Sequence, residues 1–316
     1  MTGKFWGAKM KAAYFMKNGG PEVMQYGDVQ DPVAGPGQVL VDVHAASING
    51  ADWKVRAGYY APITDFPYIP GRDFSGVVSA LGDGVKEFAI GDAVFGVCDV
   101  GQEAAYAEKV AIKSAIVARK PEGLSHAECA ALALTGLTAL CSVEDTLQLK
   151  SGETILIQGG AGGVASFAIQ IAKHIGARVI TTASAANHDY LRSLGADQVI
   201  DYNAQDFTQA VSGCDAVFDT VGGDVAKRSF AVLRPGGRAA FIASGNAAPA
   251  SPRADVISLR PRVGRDRAHL ERIVALVTGG AVRVPEITLY ALSEAAAAHA
   301  VSEGRHLRGK LVFKVR

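Results

Sequence analysis

The segment Gln158-Gly159-Gly160-Ala161-Gly162-Gly163-Val164-Ala165 follows the apolar run ETILI and leads into an apolar run of helical period. No other segment narrows the possible folds as much. Gly160, Gly162 and Ala165 satisfy G-x-G-x-x-[GA]. In that pattern the first glycine permits a tight turn, the second lets backbone approach a diphosphate, and the third position must be small so that helix and strand pack closely. Amides at the start of the helix, including those of Ala161, Gly163 and Val164, then face negative charge. Strand, turn and helix stand in the required order, so the segment reads as a dinucleotide site.

The surroundings agree. Val164, Phe167, Ala168, Ile171, Ala172 and Ile175 follow the i, i+3, i+4, i+7, i+8, i+11 stripe of a helix packed on one face. ARVITTAS, QVIDY, DAVFDTV and RAAFIASG read as further buried strands with helical stretches between most of them, the signature of a doubly wound parallel sheet. Ser125 with Glu128 forms a capping box that opens a helix at 126–142. Leu270, Ile273, Val274 and Val277 mark another helix, stopped by Gly279-Gly280. The tail from Arg283 adds strand, helix and strand.

Before Ser125 the chain is β-rich. Val39, Val41 and Val43 alternate with polar or small residues, FSGVVSALGDG ends in a turn, and FAIGDAVFGV reads as a hairpin about Gly91-Asp92. Short strands with frequent turns imply a barrel-like antiparallel unit. With 316 residues, two domains are expected.

Lys plus Arg is 32 against 31 for Asp plus Glu, a balance that argues against a dedicated nucleic-acid binder or a polybasic membrane anchor. Cys98, Cys129, Cys141 and Cys214 form no CxxC pair, which fits a reducing compartment. The apolar stretch from Cys129 to Val143 reads as too short and too interrupted to cross a bilayer, and the first residues lack the apolar core of a signal peptide. A cytoplasmic protein without membrane or nucleic-acid partners is expected.

The second strand of the parallel sheet bears on which nucleotide binds. An NAD site expects Asp or Glu at its end, yet ARVITTAS closes on Thr182-Ala183-Ser184. No carboxylate repels a 2′-phosphate there. Ser184 and Asn187 can hydrogen-bond such a phosphate, and His188 or Arg192 can supply positive charge, so NADPH is favoured over NADH.

Taken with SINGADWKVRAGYY, PGRDFSGVV, ALTGLTAL, SLGADQVIDY, FDTVGGD, LRPGGRAAFIASG and RGKLVF, in this order, the chain resembles the medium-chain dehydrogenase/reductases, and among them the zinc-independent quinone oxidoreductases (the ζ-crystallin group). The resemblance implies an α/β protein with a GroES-like β-barrel catalytic domain from 1–125 and 283–316, and a Rossmann domain from 126–282. It implies a homodimer with its active site in a cleft. Where the zinc-dependent relatives carry metal ligands, this chain has Asn49, Arg72-Asp73 and a position near Leu134, so no metal is expected. The remaining chemistry is hydride transfer to an electron-poor acceptor such as a quinone. Hydrogen-bond donors stabilise the oxygen that gains charge, and a side chain or water supplies the proton.

The same resemblance assigns roles by residue. It puts Asn49 near the nicotinamide; a turn cap is the plainer reading of that residue. Lys54 replaces a phenol of the family's substrate pocket. Tyr60, with Tyr59 as fallback, becomes a donor or substrate contact. Thr138 lies near the nicotinamide ribose or phosphate, His188 stands where relatives use Lys for the 2′-phosphate, and Tyr202 lies beside the adenine. Ala243, Ser244 and Gly245 face the carboxamide, and Lys310 lies near the cofactor. Arg253, Arg260, Arg262, Arg265 and Arg267 crowd one segment and read as a solvated face, with a phosphate-tail or RNA contact as the alternative. Two other functions stay open: reduction of the C=C bond of alkenals or enones, and an NADPH-responsive RNA- or protein-binding module.

Overall fold

The computed structural model describes residues 8–60, 63–245 and 247–316. They form two compact units: one runs to Leu134 and adds Arg265–Arg272 and Glu286–Arg316, and the other comprises Thr135–Gly264 and Ile273–Pro285. The sequence puts the borders at 125/126 and 282/283; in the structure the first border falls within the helix His126–Leu140, and a short segment at 265–272 rejoins the first unit.

The second unit is a six-stranded, wholly parallel sheet. Its strands lie in the order Gln198–Asp201, Arg178–Ala183, Thr154–Gln158, Cys214–Asp219, Leu233–Phe241, Ile257–Leu259. The chain therefore starts in the middle, winds one way, then reverses, which is the doubly wound order with its switch point beside Thr154–Gln158. The strands are apolar on both faces, as helix-covered parallel strands must be; Ile155, Leu156, Ile157 and Val217 are fully buried. The helix Gly163–Ile175 buries Ala165, Phe167, Ala168 and Ile171 and stops at Gly176, whose φ of 92° is the left-handed cap that glycine adopts without strain.

In the first unit the strand Gln38–Ile48 is the organiser. It pairs antiparallel with Asp73–Leu81, Lys109–Lys113 and Lys310–Lys314. Val39, Val41 and Val43 are wholly buried, as the period-two reading requires. The sheet continues through Ala93–Val97 to Val117–Arg119 at one end and to Ile287–Ala291 at the other, and Lys9–Tyr14 pairs with Gln25–Gln30 in a separate ribbon. Gly91-Asp92 is a turn, but only the run after it is a strand. Asp92 accepts from the amide of Ala89 at 2.8 Å, while Phe88 packs beneath the guanidinium groups of Arg119 and Arg267 at 5.5 and 4.9 Å. Those contacts hold the first run in a loop instead of a hairpin arm.

The capping box at Ser125 forms: Ser125 N and Oγ each donate to Glu128 at 2.7 Å. The helix continues through a π-helical turn at Cys141–Thr146. The whole run of 21 residues is long and apolar enough to cross a membrane, contrary to the sequence reading, yet 78% of its most apolar window is buried within the protein.

The arginine-rich segment is a solvated face only in part: Arg260 and Arg262 are exposed, while Arg253, Arg265 and Arg267 are half-buried. Arg253 donates to the carbonyls of Phe230 and Leu233, and Arg260 to that of Phe241. In the first unit Arg265 donates to Cys98 O, and Arg267 to Val117 O and Ser114 O. These side chains add donors to backbone carbonyls inside each unit.

The helix Gly50–Arg56 ends on the most deeply placed cation of the first unit. The Arg56 side chain is wholly buried and donates to Gly19 O (3.1 Å), His299 Nδ1 (3.1 Å) and Glu303 (2.6 Å). An arginine has no acceptor to offer, so His299 Nδ1 is the acceptor and its proton sits on Nε2. Burial, reinforced by Arg56, pushes the His299 imidazole down to about 3.

Candidate functional site

In the second unit the glycine-rich turn divides its tasks differently from the sequence reading. Gly159 makes the turn, with φ of 75°. Gly160 is required by packing: a Cβ there would stand 2.3 Å from Thr181 Oγ1, which is itself fixed by donating to Ile157 O at 2.6 Å. Gly160→Ala should therefore cost about 1–3 kcal/mol in overpacking. Chemical denaturation reads this, and an unchanged midpoint would contradict the packing argument. Gly162 has ordinary backbone angles and a Cβ there would touch only Gly159 O, at 3.4 Å. The space in front of it is open.

Not every amide of the turn is available. Gly160 N–H is spent on Thr182 O and Gly162 N–H on Gly159 O. Those of Ala161, Gly163, Val164 and Ala165 donate to no group among the described residues, as expected for the first turn of a helix. Four unspent donors at a helix start are an anion site in waiting.

The strand Arg178–Ala183 ends beside this turn without a carboxylate. Asn187 Nδ2 donates to Ser184 Oγ at 3.2 Å. Arg192 is engaged by Asp189 at 2.9 Å, so of the two cations proposed there His188 is the uncommitted one. Its Nε2 is buried with no partner among the described residues, as is Ser244 Oγ. Tyr202 is about half exposed. Asp219, at the end of the strand Cys214–Asp219, was missed by the sequence reading. Burial lifts its carboxyl to about 6, and it accepts from the amides of Gly222 at 2.9 Å and Val221 at 3.3 Å. A Cβ on Gly222 would lie 2.7 Å from Ala243 O, so Asp219 fixes the loop that supports Ala243 and Ser244; Gly245 follows at φ of 78°. Thr138 is buried in its helix.

The first unit holds a second polar cluster. Asn49 precedes the helix Gly50–Arg56, and its amide N–H donates to Asp52 at 2.9 Å. It thus caps the helix with its backbone and keeps its side chain for other partners. Nδ2 donates to Asp73 Oδ1 at 2.8 Å, and Oδ1 accepts from Lys310 Nζ at 2.9 Å. Asp73 also accepts from Ser47 Oγ at 2.8 Å and from the Leu134 amide at 3.2 Å. Lys310 donates in addition to Ile48 O at 2.8 Å. Lys310 and Asp73 are buried; burial pushes the ammonium below, and the carboxyl above, its ordinary value. Asp52 accepts from Tyr106 OH at 2.7 Å, and burial raises it to about 6 against the pull of Arg72.

The residues expected from sequence therefore separate. Asn49 and Lys310 meet, with Asp73 as an unforeseen third member. Lys54 lies over the Trp53 ring at 5.7 Å. Tyr59 meets Trp53 edge-on at 5.7 Å and is largely exposed, and Tyr60 is 39% exposed. The acid of PGRD was the available signal for Asp73; its partners lie far away in sequence.

Comparison with known proteins shows the family. Residues 35–122 match the alcohol dehydrogenase GroES-like domain, and residues 194–313 match a domain described as zinc-binding dehydrogenase. A quinone oxidoreductase of Pseudomonas aeruginosa is 31% identical over 96% of this chain and 99% of its own length. The structure of the quinone oxidoreductase from Coxiella burnetii superposes with a TM-score of 0.90 at 36% identity, covering 98% of this chain and all of that one (100%). The Escherichia coli quinone oxidoreductase complexed with NADPH gives 0.88 at 27% identity, over 96% of this chain and 100% of that one. The chain is thus a medium-chain dehydrogenase/reductase and belongs to the quinone oxidoreductase family within that superfamily.

Proposed function

We propose that this protein is an NADPH-dependent, zinc-independent oxidoreductase that passes hydride to quinones and related electron-poor conjugated carbonyls. The observation that carries this reading is the set of unspent amides at Ala161 and Gly163–Ala165, next to a strand end that lacks a carboxylate. The residues fit a dinucleotide phosphate. The space at Gly162 is open, and His188 Nε2 and Ser244 Oγ, which have no partner among the described residues, could serve a polyanionic ligand. The NADPH bound to the Escherichia coli relative supports the same cofactor.

The residues do not fit zinc. Asn49 offers an amide whose oxygen already accepts from an ammonium 2.9 Å away, and Leu134 contributes only its backbone N–H. An ammonium in that position repels a dication, and a leucine side chain has no donor to give it.

When bound, the dinucleotide supplies the hydride. The amides of Gly163, Val164 and Ala165 would hold the diphosphate, and Ser184, Asn187 and His188 would take the 2′-phosphate. Asn49 would be the polar contact for the nicotinamide that the family resemblance assigns to it. Tyr60, with Lys54 nearby in sequence, offers a hydrogen bond and a proton to the reduced oxygen. We further propose a cytoplasmic homodimer acting on small molecules, with no nucleic-acid or membrane partner.

The test is NADPH oxidation with 1,4-quinones and, separately, with alkenals and enones. Quinone turnover is expected. One charge-assisted contact to the 2′-phosphate should favour NADPH over NADH by roughly ten- to a hundredfold. Equal use of both nucleotides would overturn the cofactor assignment, and absence of turnover with either acceptor class would overturn the reaction.

A further inference from the structure

Asn49 is held in an unusual way. Its carboxamide is interposed between a buried cation and a buried anion, with Oδ1 on the Lys310 ammonium at 2.9 Å and Nδ2 on the Asp73 carboxylate at 2.8 Å. Lys310 is 3% exposed, Asp73 0% and Asn49 7%. The two charges are further anchored: Lys310 by Ile48 O, and Asp73 by Ser47 Oγ and the Leu134 amide. Rotating the amide by half a turn would put its NH2 against an ammonium and its oxygen against a carboxylate. Both charge-assisted bonds would be lost and two repulsions created inside a site with little water to screen them. An asparagine in solvent has no such preference.

A simple structural ion pair would need no amide between its members. Here the interposed group is the one with the most surface left, and beyond those two bonds one N–H and one lone pair of its carboxamide have no hydrogen-bond partner among the described residues. We infer that Lys310 and Asp73 are positioning residues for the reductase reaction, clamping the Asn49 carboxamide in one orientation so that its remaining N–H and lone pair meet the reacting partners with fixed polarity. The inference rests on the functional reading above, because it takes Asn49 as the contact. It also changes the expected part of Lys310, which acts through Asn49 instead of touching the dinucleotide.

The experiment has two arms. In the first, the full chain is labelled with 15N at its five asparagines, and the Asn49 side-chain pair is identified from its loss in Asn49→Ala. In the unsubstituted protein this pair should exchange slowly with water and show one set of signals; in Lys310→Met it should shift and broaden. In the second arm, kcat and KM for 1,4-benzoquinone are measured in a double-mutant cycle. Lys310→Met and Asn49→Ala should each lower kcat by about tenfold with little change in quinone KM, and the double variant should lose about tenfold, not about a hundredfold. If Lys310→Met does not fold, the charge-neutral Lys310→Met/Asp73→Asn pair takes its place in both arms. Multiplicative losses, or an Asn49 signal indifferent to Lys310, overturn the proposal. Should the unsubstituted protein reduce no acceptor, the reaction assignment fails while the resonance arm still reads the clamp.

Discussion

Gly162→Asp is expected to leave the protein folded and to weaken NADPH binding by more than about a hundredfold. Gly162 is the N-cap of the helix Gly163–Ile175 and has φ of −71° and ψ of 156°, angles open to any L-residue. A Cβ there meets only Gly159 O, at 3.4 Å, so nothing must move. Aspartate is among the best N-cap residues, because its carboxylate accepts from the second or third helical amide. That is also why it should be so damaging. Val164 and Ala165 carry those amides, and the new carboxylate would occupy the donors proposed for the diphosphate while adding a like charge. Titration of NADPH fluorescence gives the affinity, and thermal unfolding without nucleotide gives the stability. Loss of both together would mean that Gly162 serves the fold. Unchanged affinity would mean that the diphosphate lies elsewhere. The adjacent Gly160→Ala should show the reverse pattern, since its Cβ is aimed into packed protein.

Arg56→Met should destabilise the first unit by about 3 kcal/mol, a fall in melting temperature of about 6–12 °C. Methionine keeps much of the volume but leaves Gly19 O and His299 Nδ1 buried without a donor. Glu303 is partly exposed and can return to water, so its share is small. The effect should depend on pH, and the sign follows from His299. Its folded value is about 3 against an ordinary 6.5, so acid protonates the unfolded chain first, and stability present above 6.5 is lost as pH falls toward 3. Removing Arg56 relieves the second of the two causes of that depression. The stability gap between variant and parent should therefore narrow as the pH is lowered through the same window. A gap that widens would mean that His299 is protonated in the folded parent.

Much of this architecture can be read from periodicity. The alternation of Val39, Val41 and Val43, the stripe from Val164 to Ile175 and the Ser125–Glu128 cap are local patterns, and local patterns report local structure. The nucleotide turn was legible for the same reason, though its chemistry was only partly so: which amides are spent depends on Thr182, supplied by the neighbouring strand. The first unit's cluster was not legible. Lys310 and Asn49 lie 261 residues apart, and no spacing rule links them. The arginine segment was legible only in part, because the acceptors of its half-buried members are carbonyls brought in from elsewhere in the chain, which a run of charges does not reveal. Gly91-Asp92 has the residues of a hairpin, but the cations over Phe88 decide the conformation of the preceding run.

The pairing of Lys310–Lys314 with Gln38–Ile48 has a consequence for biosynthesis. Once Thr135–Gly264 has left the ribosome, its parallel sheet can close on the strands then available. The earlier-made half must wait for Lys310–Lys314, with Ala45–Ile48 bare on one edge of the strand and Asn49 lacking its cation. Until it arrives, that unpaired stretch is open to chaperones and to other nascent chains.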